Sequence, residues 1–99
     1  MSEYIVEMKN VSIVGAKFYG ENDMVGRYRV IDSDKKVAEL TLFRKNIELR
    51  NYLVTKYGED SVNKAFSGKG EVAFSVAYYP QWNEYNGRKN VQLIIEDYC

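Results

Sequence analysis

The sequence predicts a small, mostly β domain in which five strands are interrupted by a helical insertion between the third and the fourth. Three observations carry that prediction. Aromatic residues make up 14% of the chain, a composition that favours strands over disorder. Apolar and polar residues alternate with period two over most of the sequence, and helical spacing replaces that period only in the stretch after Arg44. Clusters of turn-forming residues at 19–23, 32–35 and 81–89 separate the strand-like segments. With 99 residues, no proline or glycine cluster and no internal repeat, residues 1–99 read as one domain.

The first strand spans Tyr4 to Phe18. Tyr4, Val6 and Met8 alternate with charged neighbours, and Val11, Ile13 and Val14 follow a phase slip at Asn10, the pattern of a long strand with a bulge or bend. Gly20, Asn22 and Asp23 reverse the chain. In "GRYRVID" Tyr28 and Val30 alternate with Arg27 and Arg29, and Asp32 to Lys35 make the next turn. The third strand puts Ala38, Leu40 and Leu42 on one face and Glu39, Thr41 and Phe43 on the other.

Asn46 is placed to cap a helix in which Leu49, Leu53 and Tyr57 share a face, and Gly58 to end it. Glu59 and Asp60 open a second short turn with Val62, Ala65 and Phe66 inward. Strand period resumes with Val72, Phe74, Val76 and Tyr78 on one face, and Pro80 is expected to stop the run. Asn86-Gly87 is the strongest hairpin signal in the chain. The last strand is expected to bury Val91, Leu93 and Ile95. Three meandering strands, a helix and a hairpin have the connectivity of a closed five-stranded OB-like Greek-key barrel plugged by one helix. The same elements also fit an open sheet packed on its helix.

Composition excludes several kinds of chemistry. The chain has 14 basic and 14 acidic residues and no histidine, so histidine-based zinc sites and serine-histidine-aspartate catalysis are absent. Cys99 is the only cysteine; no internal disulfide can form, and a reducing, cytoplasmic compartment is the expectation. No segment approaches the roughly 18 to 20 apolar residues of a membrane span, and no secretory leader pattern opens the chain. The acidic groups at Glu21, Asp23, Asp32, Asp34 and Glu39 lack the spacing of a calcium loop, and no phosphate-binding glycine motif occurs. No enzyme activity, cofactor or metal is expected.

Net neutrality conceals a charge division, because residues 27–69 carry ten basic and six acidic groups. Arg27, Arg29, Lys35, Lys36, Arg44 and Lys45, with outward Phe43 and Tyr28 as a candidate second ring, combine cations for phosphate with flat groups for bases, as single-stranded nucleic acid requires. An ordinary solvated face has the same mixture. The 81–89 connection offers a second group, in which Trp82 and Tyr85 could stack on bases while Arg88 and Lys89 meet phosphate. The structural alternative has Trp82 covering the rim, Tyr85 packing across from Tyr79, and Asn86-Gly87 serving turn geometry alone.

"VAFSVAYYPQWNEYNGRKNVQLIIED", together with "AELTLF", resembles the C-terminal OB domain of the RecJ single-strand-specific exonucleases. The likeness rests on Trp82, Asn83, Asn86, Gly87, Gln92, Leu93, Ile95 and Asp97, with Phe43 a further anchor. It implies a non-catalytic accessory module that binds single-stranded DNA, weakly or within a larger complex, or that docks another domain. It implies no nuclease activity here, since that family's metal-binding motifs belong to other domains. The rival expectation is a protein-interaction module of a mobile-element or phage accessory protein, with an OB shape and no nucleic-acid ligand.

Overall fold

The structure, a computed structural model, describes residues 8–99, and at Tyr85 the backbone only. Tyr4 and Val6 of the predicted first strand therefore lie outside the described residues. Strand β1 (Lys9–Tyr19) pairs antiparallel with β2 (Val25–Ile31) along one edge and with β4 (Val72–Tyr85) along the other. It serves both by bending. The register with β2 shifts between Ile13 and Gly15, so the bulge sits at Val14 and not at Asn10. A 3-10 turn at Glu21–Asp23 leads into β2, with Asn22 and Asp23 both at positive φ.

β2 and β3 (Val37–Phe43) form a hairpin in full register. Its turn is held by Asp32, whose Oδ1 accepts the backbone N–H groups of Asp34 and Lys36, each at 2.9 Å. β4 and β5 (Arg88–Tyr98) form the longest hairpin, closed by Asn86 and Gly87 at φ 53° and 75°. Positive φ at both central residues is the two-residue turn whose twist matches that of the strands.

The strand order runs β1-β2-β3-β5-β4, and β4 returns to β1. The closed barrel expected from that connectivity needs correction at its seam. β3 and β5 run parallel and meet through two residue pairs, Leu40 with Leu93 and Thr41 with Ile94, against seven between β2 and β3. The result is a five-stranded mixed sheet rolled on itself and laced at one point, not a barrel hydrogen-bonded evenly around its circumference. The β4–β5 hairpin sets the register of β5, and only a short part of that strand comes level with β3. Closure depends on strand stagger as well as strand number.

Two further expectations are corrected. The insertion is a pair of helices, α1 (Asn46–Tyr57) and α2 (Glu59–Phe66), separated by Gly58 at φ 90° and ψ 155°, a region open essentially to glycine alone. β4 does not stop at Pro80. Among the described residues its pairing with β1 ends at Val76, and Pro80 stands opposite Leu93 in register. Counting back from the two-residue turn, that is a non-hydrogen-bonded pair, so the imide nitrogen faces away from β5 and that hairpin needs no N–H from it.

Leu49 and Leu53 of α1 and Val62 and Ala65 of α2 are buried together with Ile13, Val30, Leu40, Val72, Phe74 and Val76. Phe66 carries this core to the sheet by packing on Phe18 and Tyr28, with ring centroids 5.9 and 5.8 Å away. Tyr28, a candidate binding ring on sequence grounds, is fully buried. Its hydroxyl donates to Asn46 Oδ1 at 2.6 Å.

Asn46 is not the helix cap. The cap position is Lys45, whose side chain makes no capping bond. Asn46 is 5% exposed and its Nδ2 donates toward the carbonyls of Asp23, Met24 and Leu42, each at 3.2 Å. Two N–H bonds serve three acceptors, so one is shared. This carboxamide ties the β1–β2 turn to the end of β3 and the start of α1. Gly26 leaves room for it, since a Cβ there would lie 2.1 Å from Asn46 Oδ1.

Candidate nucleic-acid interface

Because successive strand residues face opposite sides, the partners of buried Tyr28 and Leu40 put charge outside. Lys17, Arg27 and Thr41 stand abreast across β1, β2 and β3, and Gly15, Arg29 and Glu39 form the next row. All of these but Thr41 line a shallow groove of about 270 Å³ that includes Tyr19, Phe66 and Gly68. Gly15 puts no side chain beside Arg29 in its row, where a Cβ would lie 3.7 Å from Arg29 Cβ.

Arg27 is the centre of this surface. Its Nη1 lies 3.7 Å from Glu39 Oε1 and its guanidinium 5.5 Å from the centroid of the Tyr19 ring. Its Nε–H is buried without a partner, the only such side-chain group among the described residues. The ion pair is half-exposed on both sides, and pairs of that kind contribute about 1 kcal/mol or less. An incoming anion can therefore displace Glu39 at little cost.

Arg27 and Glu39 also belong to a second hollow of about 240 Å³, completed by Thr41, Asn83, Asn90, Gln92 and the edge of β5. The two hollows thus form one path from Tyr19 to the β4–β5 arm. The arm extends past the part of the sheet that β1 and β3 cover, with pairs running from Gln81–Gln92 to Tyr85–Arg88. Asn83 and Gln92 turn one face of it toward the groove. Trp82 and Val91 pair on the other face, 72% and 54% exposed, so the expected burial of Val91 is corrected: that face continues the lining of the core beyond the core itself.

Below the seam, where β3 and β5 diverge, a cleft of about 500 Å³ is lined by Phe43, Lys45, Glu48, Tyr79, Ile94 and Glu96, among others. Tyr98 borders it; burial, followed by the nearby Glu48 carboxylate, pushes its hydroxyl pKa up. Three carboxylates, from Glu48, Glu96 and Asp97, face one ammonium there, which disfavours phosphate.

The predicted site residues are therefore divided. Arg27 and Arg29 share the groove. Phe43, 43% exposed, lies on the same side of β3 but borders the acidic cleft. Arg44 sits at φ 70° in the turn into α1, its N–H donating to Met24 O at 2.7 Å. Arg88 is exposed beside the arm's turn, opposite Tyr85 in register, whose side chain lies outside the description. Trp82 and Lys89 occupy the reverse face of the arm. Sequence reading missed Lys17, Tyr19, Asn90 and Gln92 as groove residues. The signal for the arm was present, since the Asn86-Gly87 turn dictates which residues face each other.

Among the described residues no group of three or more Asp, Glu, Cys or His is placed to hold a metal ion, and no helix is long and apolar enough to cross a membrane. No curated protein matches the chain. One solved structure similar to it is a crystal structure of the mitochondrial single-stranded DNA binding protein Rim1 from S. cerevisiae, with 15% identity, 94% of this chain and 92% of that one covered, and a TM-score of 0.44. The family model of the RecJ OB domain matches residues 2–97. That match spans nearly the full sequence and concerns the OB domain, not a nuclease core, and the chain belongs to the RecJ OB domain family.

Proposed function

We propose that this chain is a non-catalytic module that binds single-stranded DNA along the groove from Tyr19 to the β4–β5 arm. The observation that carries the reading is Arg27, an arginine held at the junction of two hollows with a buried, unpartnered Nε–H and a weak, displaceable carboxylate. Lys17, Arg27 and Arg29 supply the phosphate contacts, and Tyr19 supplies a ring at one end. Few cations are involved, so binding is weak and suited to a part of a larger assembly. Trp82 and Lys89, on the reverse face, take no part in the groove.

The test is a fluorescence anisotropy titration with labelled oligothymidylate at several salt concentrations. Each phosphate contact on a single strand contributes about −0.7 to the slope of log affinity against log salt. Arg27→Ala with Arg29→Ala should flatten that slope by about 1.4, whereas Trp82→Ala should leave affinity within about twofold, as expected for a residue outside the groove. A salt-independent affinity, or a slope unmoved by the arginine variants, would refute the reading.

A second reading rests on the acidic cleft at the seam. Phe43, Tyr79 and Ile94 beside Glu48, Glu96 and Asp97 suit a protein partner with an apolar side chain next to a basic one. This reading predicts that the arginine variants leave partner docking unchanged.

A further inference from the structure

The arm carries four carboxamides on its groove face. Gln81 stands opposite Gln92, and Asn83 opposite Asn90, in consecutive non-adjacent pairs of the antiparallel ribbon. Alternation puts all four on one side, with Trp82, Val91, Glu84 and Lys89 on the other. Asn83 and Gln92 are half-buried, and Asn83, Asn90 and Gln92 line the hollow shared with Arg27, Glu39 and Thr41. Among the described residues, no side-chain hydrogen bond uses any of these four amides.

We infer that this amide row reads base edges, so that the single strand is bound with base discrimination. The inference rests on the single-strand reading above and adds what the site recognises. Among the described side chains no aromatic lines the arm section of the groove, and Trp82 is on the reverse face. A base arriving there meets groups that each offer adjacent N–H donors and a C=O acceptor, the pattern complementary to base edges. Neighbouring pairs on one face are two residues apart, about 7 Å along the strand, a spacing that lets successive amides meet successive bases of an extended chain. Arg27 and Arg29 hold the backbone while the amides sort the bases, the usual division between positioning and specifying contacts.

The experiment measures affinities of the full chain for oligodeoxyadenylate, oligodeoxycytidylate and oligothymidylate of equal length. The best and worst polymers should differ by about tenfold, the lower part of the range for amide–base pairing. Asn83→Ala with Gln92→Ala should bring the three within about twofold of one another and leave the salt slope unchanged. Asn90→Asp, which keeps the acceptor and loses the donor, should reorder the preference in a folded protein even if the double variant unfolds. Equal wild-type affinities, or discrimination that survives both variants, would overturn the inference and leave the single-strand reading standing. No binding to any polymer would overturn both.

Discussion

Replacing Asn46 by alanine should cost this fold more than any exposed substitution, because it removes the acceptor of a fully buried hydroxyl. Tyr28 Oη sits 2.6 Å from Asn46 Oδ1, and among the described residues it has no other side-chain hydrogen-bond partner. A buried polar group left unsatisfied costs about 1–3 kcal/mol, and a net hydrogen bond contributes about 0.5–1.5 kcal/mol. Of the three carbonyls that Nδ2 serves, Met24 O keeps a partner in the Arg44 N–H, so the loss there is partial. Together these give about 3 kcal/mol for Asn46→Ala, a large share of the 5–15 kcal/mol typical of a domain. Tyr28→Phe keeps the ring in the core and removes only the hydroxyl, for about 1 kcal/mol. The assay is urea unfolding of the wild type, both single variants and the double variant. Once Tyr28 has no hydroxyl, Asn46→Ala no longer strands one, so the double variant should be less destabilised than the sum of the singles by at least about 1 kcal/mol. Additive effects, or an Asn46→Ala cost below about 1 kcal/mol, would show that the carboxamide does not organise this corner.

Two further perturbations examine the same corner. Gly26→Ala puts a methyl group 2.1 Å from Asn46 Oδ1 and 2.9 Å from the Tyr28 ring; it should lower stability by about 2 kcal/mol or more, measurable as a reduced urea midpoint, and a neutral result would show that the corner repacks freely. Burial pushes the Tyr28 hydroxyl pKa well above its ordinary 10.0. The folded state then holds its proton more tightly than the unfolded chain. Stability should be flat below pH 10 and fall above it, approaching about 1.4 kcal/mol per pH unit for this group. Urea midpoints across alkaline pH should show part of that fall disappearing in Tyr28→Phe, and an identical profile in the variant would count against the assignment.

Much of this architecture is legible before any coordinates. Period-two alternation from Val25 to Phe43 identifies the β2–β3 hairpin, and the Asp32 turn behaves as its residue types require. The Asn86-Gly87 pair does more than mark a turn. A two-residue loop makes Tyr85 face Arg88, and every pair back to Pro80–Leu93 follows by counting. That counting separates Trp82 and Lys89 from Asn83 and Asn90, so a loop described by composition as one aromatic and cationic cluster is a ribbon with two unlike faces. Pro80 misleads a local reading because its cost depends on whether a neighbour strand needs its N–H, which sequence proximity does not reveal. Asn46 misleads for a related reason. A residue type suited to capping was placed by tertiary contacts in a buried polar bracket.

The charge division is visible in sequence, but its consequence is not. Ten cations between residues 27 and 69 become two different surfaces once the strands are arranged. Arg27 and Arg29 lie in the groove, while Lys45 sits among carboxylates at the seam. Sequence alone determined the number and order of strands, the place of the helical interruption, the turns at Asp32 and Asn86-Gly87, and the lack of histidine sites and of an internal disulfide, because each depends on residue types or on residues close together in the chain. Only the tertiary structure decided the two-pair seam, the junction at Arg27 and the face on which each arm residue stands relative to the groove. Those depend on stagger between strands distant in sequence, where a shift of one residue exchanges the inside for the outside.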